Sequence, residues 1–523
     1  MSIAVFVGMC LSLGVFYRAG ALSATLITQL SLSGLAVFAV LALLRPALAL
    51  LFVPLTAPLY LIPIVLPNLR ATLVALQIHE MALLICAAAT VAQIGWNWLV
   101  RRQPWPFRLD LALTAREYAP HGLLLLAAGL GVLLAVERAP AIREVARLLV
   151  TPLIFYALLR YHLCRVPDDQ RQALNPQLLL TLLALIAIGA LVALVGMLQL
   201  VGIDLTQRLF GWKTVGGFTP AVIPDGNTLR ATSVYGHPNN LALALGRIWP
   251  LAAGLACGLV LGATQSGGVR LPAAVRLGLF GILVVAVVLC LGGIQASVSR
   301  GALLGINAAI VVLATGVLLL EMRRQRDNPQ RARQVRALMI VGVVLVVGFL
   351  AWRTFSLREG VASGSVNTRL LLWEEALTLI QRQPFGLGPD QFYYYHNPEF
   401  GRSIIDPRLI GTSEEFAAHP HNLLLDLWLR LGPIGVIAFA WLILRFFWRG
   451  FWLVQRAALA PAYLVLGACA AMAAALTHGM VDNFYFVPDL AFTFWLLLAG
   501  VDFYHEQSQQ SDSPRRTGAL RSP

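Results

Sequence analysis

Residues 177–201 read QLLLTLLALIAIGALVALVGMLQLV, and none of these positions carries a charge. As a helix the run rises about 37 Å at ~1.5 Å per residue, enough to cross the roughly 30 Å hydrocarbon core of a bilayer. It lacks the polar face that a helix on a water-soluble domain needs. Runs of the same kind recur on both sides of it. They are read near Ile3–Phe16, Ala21–Leu44, Ala47–Leu66, Ile78–Trp98, His121–Val136 and Ala141–His162 before it. After it come Leu241–Leu261, Leu277–Ser297, Ala302–Leu320, Ala337–Trp352, Leu423–Leu444, Ala462–Met480 and Leu490–Val501. The expectation is an all-α, polytopic integral membrane protein with about 12–14 transmembrane helices.

Composition agrees. Of 523 residues, 58% are hydrophobic and 12% charged, with mean hydropathy +0.75, where a soluble chain carries roughly a quarter charged. A membrane β-barrel would alternate polar and apolar positions, and these solid runs do not. The net charge of +14 arrives in short clusters between apolar runs, as orientation signals do, so no nucleic-acid partner is expected. The six cysteines lie in or beside the runs, which argues against a disulfide framework. The first run has no basic segment before it and no cleavage site after it, so it is expected to be retained.

The arginines assign sides. Arg101, Arg102, Arg108 and Arg116 mark one face, and Arg165, Arg171, Arg270, Arg276 and the Arg323–Arg336 cluster return to it. Arg445, Arg449 and Arg456 are read there too, with Arg515, Arg516 and Arg521. That face is expected to be cytoplasmic, with both termini on it, in a bacterial inner membrane protein. The chain then divides into membrane helices 1–201, an outer loop 202–240, central helices 241–352, a large outer loop 353–422, C-terminal helices 423–504 and a disordered polar tail 505–523. Within the large loop, Leu370, Leu371, Trp373, Leu377 and Ile380 recur at near-helical spacing. An amphipathic helix at the membrane surface fits them, ended by Pro384 and Gly386-Leu387-Gly388-Pro389.

Arginine is permanently charged and costly near hydrocarbon, so those left on the outer face are informative. Arg230 lies with His237 just before a membrane helix, and Arg300 sits in Ser299-Arg300-Gly301 at a turn between two helices. Arg247 lies about two turns inside a helix. Singly, each reads as a side chain reaching lipid phosphates. Together they read as an anion cavity, because guanidinium forks grip a diphosphate well. His419 and His421 stand where the large loop enters its next helix. A His-x-His pair can ligate zinc, but no spacing identifies further ligands, His396 and Glu414 being the candidates; no metal or cofactor is expected. An interfacial histidine or a general base are the other readings. His478 and Asp482 read as a polar helix end or a proton relay. No phosphate-binding loop of the ATPase type is present.

The ordered set of these segments resembles the O-antigen ligase and O-antigen polymerase family of bacterial membrane glycosyltransferases. The resemblance rests on Arg230 to Asn239, Ser299-Arg300-Gly301-Ala302-Leu303-Leu304, and Thr368-Arg369-Leu370-Leu371-Leu372-Trp373 with Pro384-Phe385-Gly386-Leu387-Gly388. His419-Pro420-His421-Asn422-Leu423, followed by Gly432, completes it. It covers roughly the second half of the chain. The resemblance implies a metal-independent, inverting transfer from an undecaprenyl-diphosphate-linked glycan to an acceptor hydroxyl, on the periplasmic or exterior face. It implies His421 as general base with His419 in reserve, and Arg230 and Arg300 on the diphosphate with Arg247 as an added contact. Arg369 and His237 would position substrate. The acceptor stays open among a lipid A–core sugar, another lipid-linked repeat and a protein hydroxyl, and a secondary transporter is the rival of a different class.

Overall fold

The structure, a computed structural model, describes residues 2–21, 25–61, 77–104, 111–164, 174–206, 222–225, 228–261, 272–324, 333, 337, 340, 344, 348 and 363–512. Among the described residues it is 81% helical, with almost no strands. Among the described residues, eight helices are long and apolar enough to cross a membrane. The expected span Ala337–Trp352 lies largely outside the described residues.

The N-terminal part contains α1 (Ser2–Ala21), α2 (Thr25–Leu44), α3 (Ile78–Leu99), α4 (Leu111–Leu134), α5 (Arg138–Val145), α6 (Thr151–Leu163) and α7 (Pro176–Leu200). Two expected spans here are interrupted. The run read as Ala47–Leu66 is broken into Pro46–Ala49, Phe52–Thr56 and a 3-10 turn at Ala57–Leu59. Pro46, Pro54 and Pro58 recur through it, and a proline removes a helix donor and clashes with the preceding turn. The run read as Ala141–His162 contains a π-helical turn at Ala146–Val150 between α5 and α6.

The centre is built by α8 (Pro238–Leu261), α9 (Ala273–Ser297) and α10 (Arg300–Arg324), then α13 (Leu423–Arg456), α14 (Leu459–Gly479) and α15 (Pro488–Asp512). Among the described residues, helices α8 and α14 form the most extensive pairing. The sequence Gly254-Leu-Ala-Cys-Gly258 sets small residues four apart, the spacing that lets membrane helices approach closely. A Cβ on Gly254 would stand 2.7 Å from the Tyr463 carbonyl, so that contact requires glycine. Helix α15 runs to Asp512, past the expected end at Val501 and through the first part of the expected tail.

The long connection between α10 and α13 carries α11 (Ser363–Arg382) and α12 (Phe392–His396). It folds around its own small core, in which Leu372, Ala376 and Leu379 of α11 meet Leu387, Phe392, Leu409, Ala417 and Leu429. A break in α13 fastens the loop to the bundle. Pro433 has no N–H to offer the carbonyl of Leu429, and Gly432 turns to φ 63°, ψ −171°. The Leu387 and Gly388 amides fill that carbonyl instead, at 2.7 and 3.1 Å. The Gly386-Leu387-Gly388 run and the Gly432-Pro433 break are complementary halves of one joint.

At the opposite end of α13, Arg445 and Arg449 lie within the helix, where the sequence reading put them in a loop. Arg449 donates to Glu117 at 2.6 and 2.8 Å and to Asp502 at 2.5 Å, while Tyr156 donates to Asp502 at 2.8 Å. Arg160 pairs with Glu506 at 2.5 Å. These arginines are therefore neutralised by acids on α4 and α15 rather than being free orientation charges. Arg449 and Asp502 are 8% and 3% exposed, and removing one partner of such a buried pair typically costs about 3–5 kcal/mol, so this pair locks α13 against α15.

Candidate active site

Four chain segments meet at the other end of the bundle: the start of α8, the α9–α10 turn, the start of α13, and the link from α14 to α15. Each is shaped by local rules. Asn422 caps α13, its side-chain oxygen accepting from the Leu424 and Leu425 amides at 3.0 and 3.2 Å. Its amide nitrogen donates to the Met480 carbonyl at 3.1 Å, tying that cap to the α14–α15 link. Upstream of α8, β1 (Ile223–Asp225) and β2 (Thr228–Arg230) form a two-stranded antiparallel hairpin that delivers Arg230. Ser233, Val298 and His421 all have left-handed φ, at 52°, 51° and 50°. For a β-branched valine that is a marked outlier, and such strain costs about 1–3 kcal/mol per residue and gathers at functional sites.

A continuous polar chain runs through the centre. Arg230 donates from Nε to the Ser297 carbonyl at 2.9 Å and from a terminal nitrogen to Asn239 Oδ1 at 3.0 Å. Asn239 Nδ2 donates to Asp482 Oδ2 at 2.6 Å. Asp482 Oδ1 faces His421 Nδ1 at 3.2 Å and accepts the Asn483 amide at 2.8 Å. The other His421 nitrogen, Nε2, faces Glu414 Oε2 at 3.1 Å. Arg369 of α11 reaches over the loop to within 3.9 Å of Asp482 Oδ2, its Nε buried without a hydrogen-bond partner.

Arg300 opens α10 three residues after the Ser297 carbonyl that Arg230 grips. It is half-buried, and among the described residues it has no hydrogen-bond or ion-pair partner. Its neighbours are fixed: Ser299 Oγ shares a hydrogen bond with His478 Nε2 at 3.4 Å, and Gly301 packs on the same ring.

Burial works against charge throughout this centre, but the mutual contacts outweigh it for three groups. Burial lowers and the Asp482 and Glu414 hydrogen bonds raise His421, whose pKa is pushed up to about 9. The same hydrogen bonds, again against burial, hold Glu414 below its usual value and Asp482 well below it.

The structure brings together Arg230, Arg369, His237, His419 and His421, with Arg300 at the adjoining α9–α10 turn, but not all in the expected roles. Arg247 does not join them: it is 1% exposed and donates to the carbonyls of Leu490, at 2.7 Å, and Phe484. A diphosphate contact is not open to it, because its charge is spent pinning the α14–α15 link to α8. His237 accepts the Asn239 amide on Nδ1 at 3.3 Å, as a cap for α8, and burial first, with the His421 and Arg230 charges, lowers its pKa to about 4. His419 accepts the His421 amide on Nδ1 at 3.3 Å, its ring 4.4 Å from that of His421. Burial and the His421 charge hold it neutral, so it supports the strained His421 backbone and its Nδ1 lone pair is not free for a proton. His419, His421 and Asp482 present atoms within 4.8 Å of one another. We do not identify them as metal ligands, because both His421 nitrogens already face carboxylates.

Two participants escaped the sequence reading. From the sequence, Glu414 reads only as a candidate metal ligand, and Asn239 carries no assigned role. Neither has a local signal: Asn239 meets Asp482 across 243 residues, and Glu414 is delivered by the fold of the loop.

The fold and site define an all-α, multi-pass membrane protein with a charged, strained centre at one bundle end beneath a structured loop. Residues 285–440 match the family model described as O-Antigen ligase, which supports an O-antigen ligase-family protein and, coarsely, a membrane glycosyltransferase-like ligase or polymerase. Arg300, Arg369, Glu414, His419 and His421 fall inside the match; Arg230, Asn239 and Asp482 fall outside it. No curated protein matches the chain.

Proposed function

We propose that this protein moves a glycan from an undecaprenyl-diphosphate-linked donor to an acceptor hydroxyl, as an O-antigen ligase or surface-polysaccharide polymerase. The observation that carries the reading is that an unspent guanidinium nitrogen on Arg369, and the start of α10 that Arg300 opens, lie at the same bundle end as the Glu414–His421–Asp482 set. A diphosphate is a good leaving group whose departure needs charge stabilisation more than a proton. Arg300, with Arg230 held beside it by the Ser297 carbonyl, supplies preorganised donors at a low-dielectric edge where each contact is strengthened. Arg369 positions the glycan from the loop side. The acceptor proton goes to the carboxylate–imidazole set, and one direct displacement inverts the anomeric carbon. No step calls for a metal. The site faces the exterior or periplasm, and the membrane supplies the donor from within its plane.

The test is reconstitution in lipid nanodiscs with a lipid-diphosphate-linked glycan and a glycan or lipid-linked acceptor. Transfer is expected, at a rate unchanged by EDTA. Absence of product with every acceptor would sink the reading, and strong EDTA inhibition would sink its metal-free mechanism.

A further inference from the structure

Both ring nitrogens of His421 face carboxylate oxygens, Asp482 Oδ1 at 3.2 Å and Glu414 Oε2 at 3.1 Å. An ionised carboxylate offers only acceptors, and a neutral imidazole has one N–H and one lone pair. A neutral His421 would thus aim its lone pair at one of the two carboxylates, whereas the imidazolium satisfies both. The nitrogen expected to take the acceptor's proton is already occupied by a proton of its own.

The two carboxylates differ. The Asp482 side chain is 5% exposed and is saturated by Asn239, the Asn483 amide and His421, with Arg369 behind. Glu414 is 19% exposed at its side chain, and among the described residues its second oxygen, Oε1, makes no hydrogen bond. Its backbone is fixed from below: His396, fully buried, bridges the Glu414 carbonyl and the Glu375 carboxylate, each at 2.7 Å. Glu414 is therefore an accessible carboxylate on a rigid mount.

Resting on the glycosyl-transfer reading above, we propose that Glu414 is the catalytic base and that His421 acts as the imidazolium that orients it. The acceptor O–H bond breaks and its proton passes to Glu414 Oε1. The hydroxyl oxygen bonds to the anomeric carbon, and the bond from that carbon to the diphosphate oxygen breaks. The electron pair departs on the diphosphate, against Arg230 and Arg300, and Glu414 then returns its proton to water. The charged or titratable groups facing this pair are Asp482 from the α14–α15 link, Arg369 from α11, His237 before α8, and His419, with Asp426 and Arg430 of α13 behind. The Asp482 and Glu414 carboxylates keep His421 protonated across neutral pH, and the His421 and Arg369 charges keep Glu414 ionised.

The test is the pH dependence of kcat/KM in nanodiscs for wild type, Glu414→Gln and Glu414→Asp, with donor binding titrated in parallel. Wild type is expected to be flat through neutrality, falling in acid as Glu414 protonates and in base as His421 loses its proton near 9. Glu414→Gln should lose about 10²–10⁴-fold in kcat and its acid limb while still binding donor, and Glu414→Asp should keep the limb. Near-wild-type turnover by Glu414→Gln, or a wild-type rate that climbs tenfold per pH unit toward 9, would return the base to His421 and overturn the proposal. Failure of wild type to transfer at any pH would instead overturn the functional reading. Should Glu414→Gln fail to bind donor, the wild-type profile and Glu414→Asp decide.

Discussion

His421→Ala is expected to lower kcat for glycan transfer by up to about 10²–10⁴-fold, the range for losing general-base catalysis, because Glu414 depends on it, with donor affinity far less affected. The loss has two parts. The imidazolium that holds Glu414 in place is gone, and Asp482 and Glu414 are left facing a cavity without the cation that both contact now. Each carboxylate then takes up a proton more readily, which weakens the ionised form the reaction needs. His421→Gln, which restores hydrogen bonding without the positive charge, should recover little. Single-turnover rates on protein shown to be folded by its thermal transition make the check, and turnover within a few-fold of wild type would remove His421 from the chemistry.

Arg300→Ala should cost about 10²–10³-fold in kcat, the loss seen when one preorganised donor to a developing anion is removed. The expectation comes from what Arg300 lacks. Arg230 is anchored by Ser297 and Asn239, and Arg247 by two carbonyls, but Arg300 has no partner among the described residues and is held by its helix start alone. Its removal should therefore leave the fold intact and act on the departing diphosphate. Arg300→Lys keeps the charge and loses the fork, and should fall between the two. An unchanged kcat for Arg300→Ala would show that the diphosphate sits elsewhere.

The membrane fold was legible because its determinants are local: an apolar run such as residues 177–201 announces a helix without reference to any partner. Where proline cut a run, as at Pro46, Pro54 and Pro58, the run alone overstated the span. The candidate site was legible where charge was costly. Arg300 and His421 stood out because nothing nearby in the chain accounts for them. Pairing over distance was not legible. Asp482 meets His421 across 61 residues, and Arg449 meets Glu117 across 332, so from the sequence Asp482 reads as a polar helix end or a proton relay and Arg449 as a loop charge. Arg247 was misassigned for a related reason. Its partners are backbone carbonyls, which no side-chain pattern advertises.

The central claim is that arginines and a carboxylate–imidazole set act on one lipid-linked glycan in a single displacement. The anomeric configuration of the new linkage, read by NMR from a donor of known configuration, tests it most directly. The account predicts inversion, because the hydroxyl attacks as the diphosphate leaves toward Arg230 and Arg300. Retention would require a covalent glycosyl-enzyme intermediate and two displacements, and would contradict it.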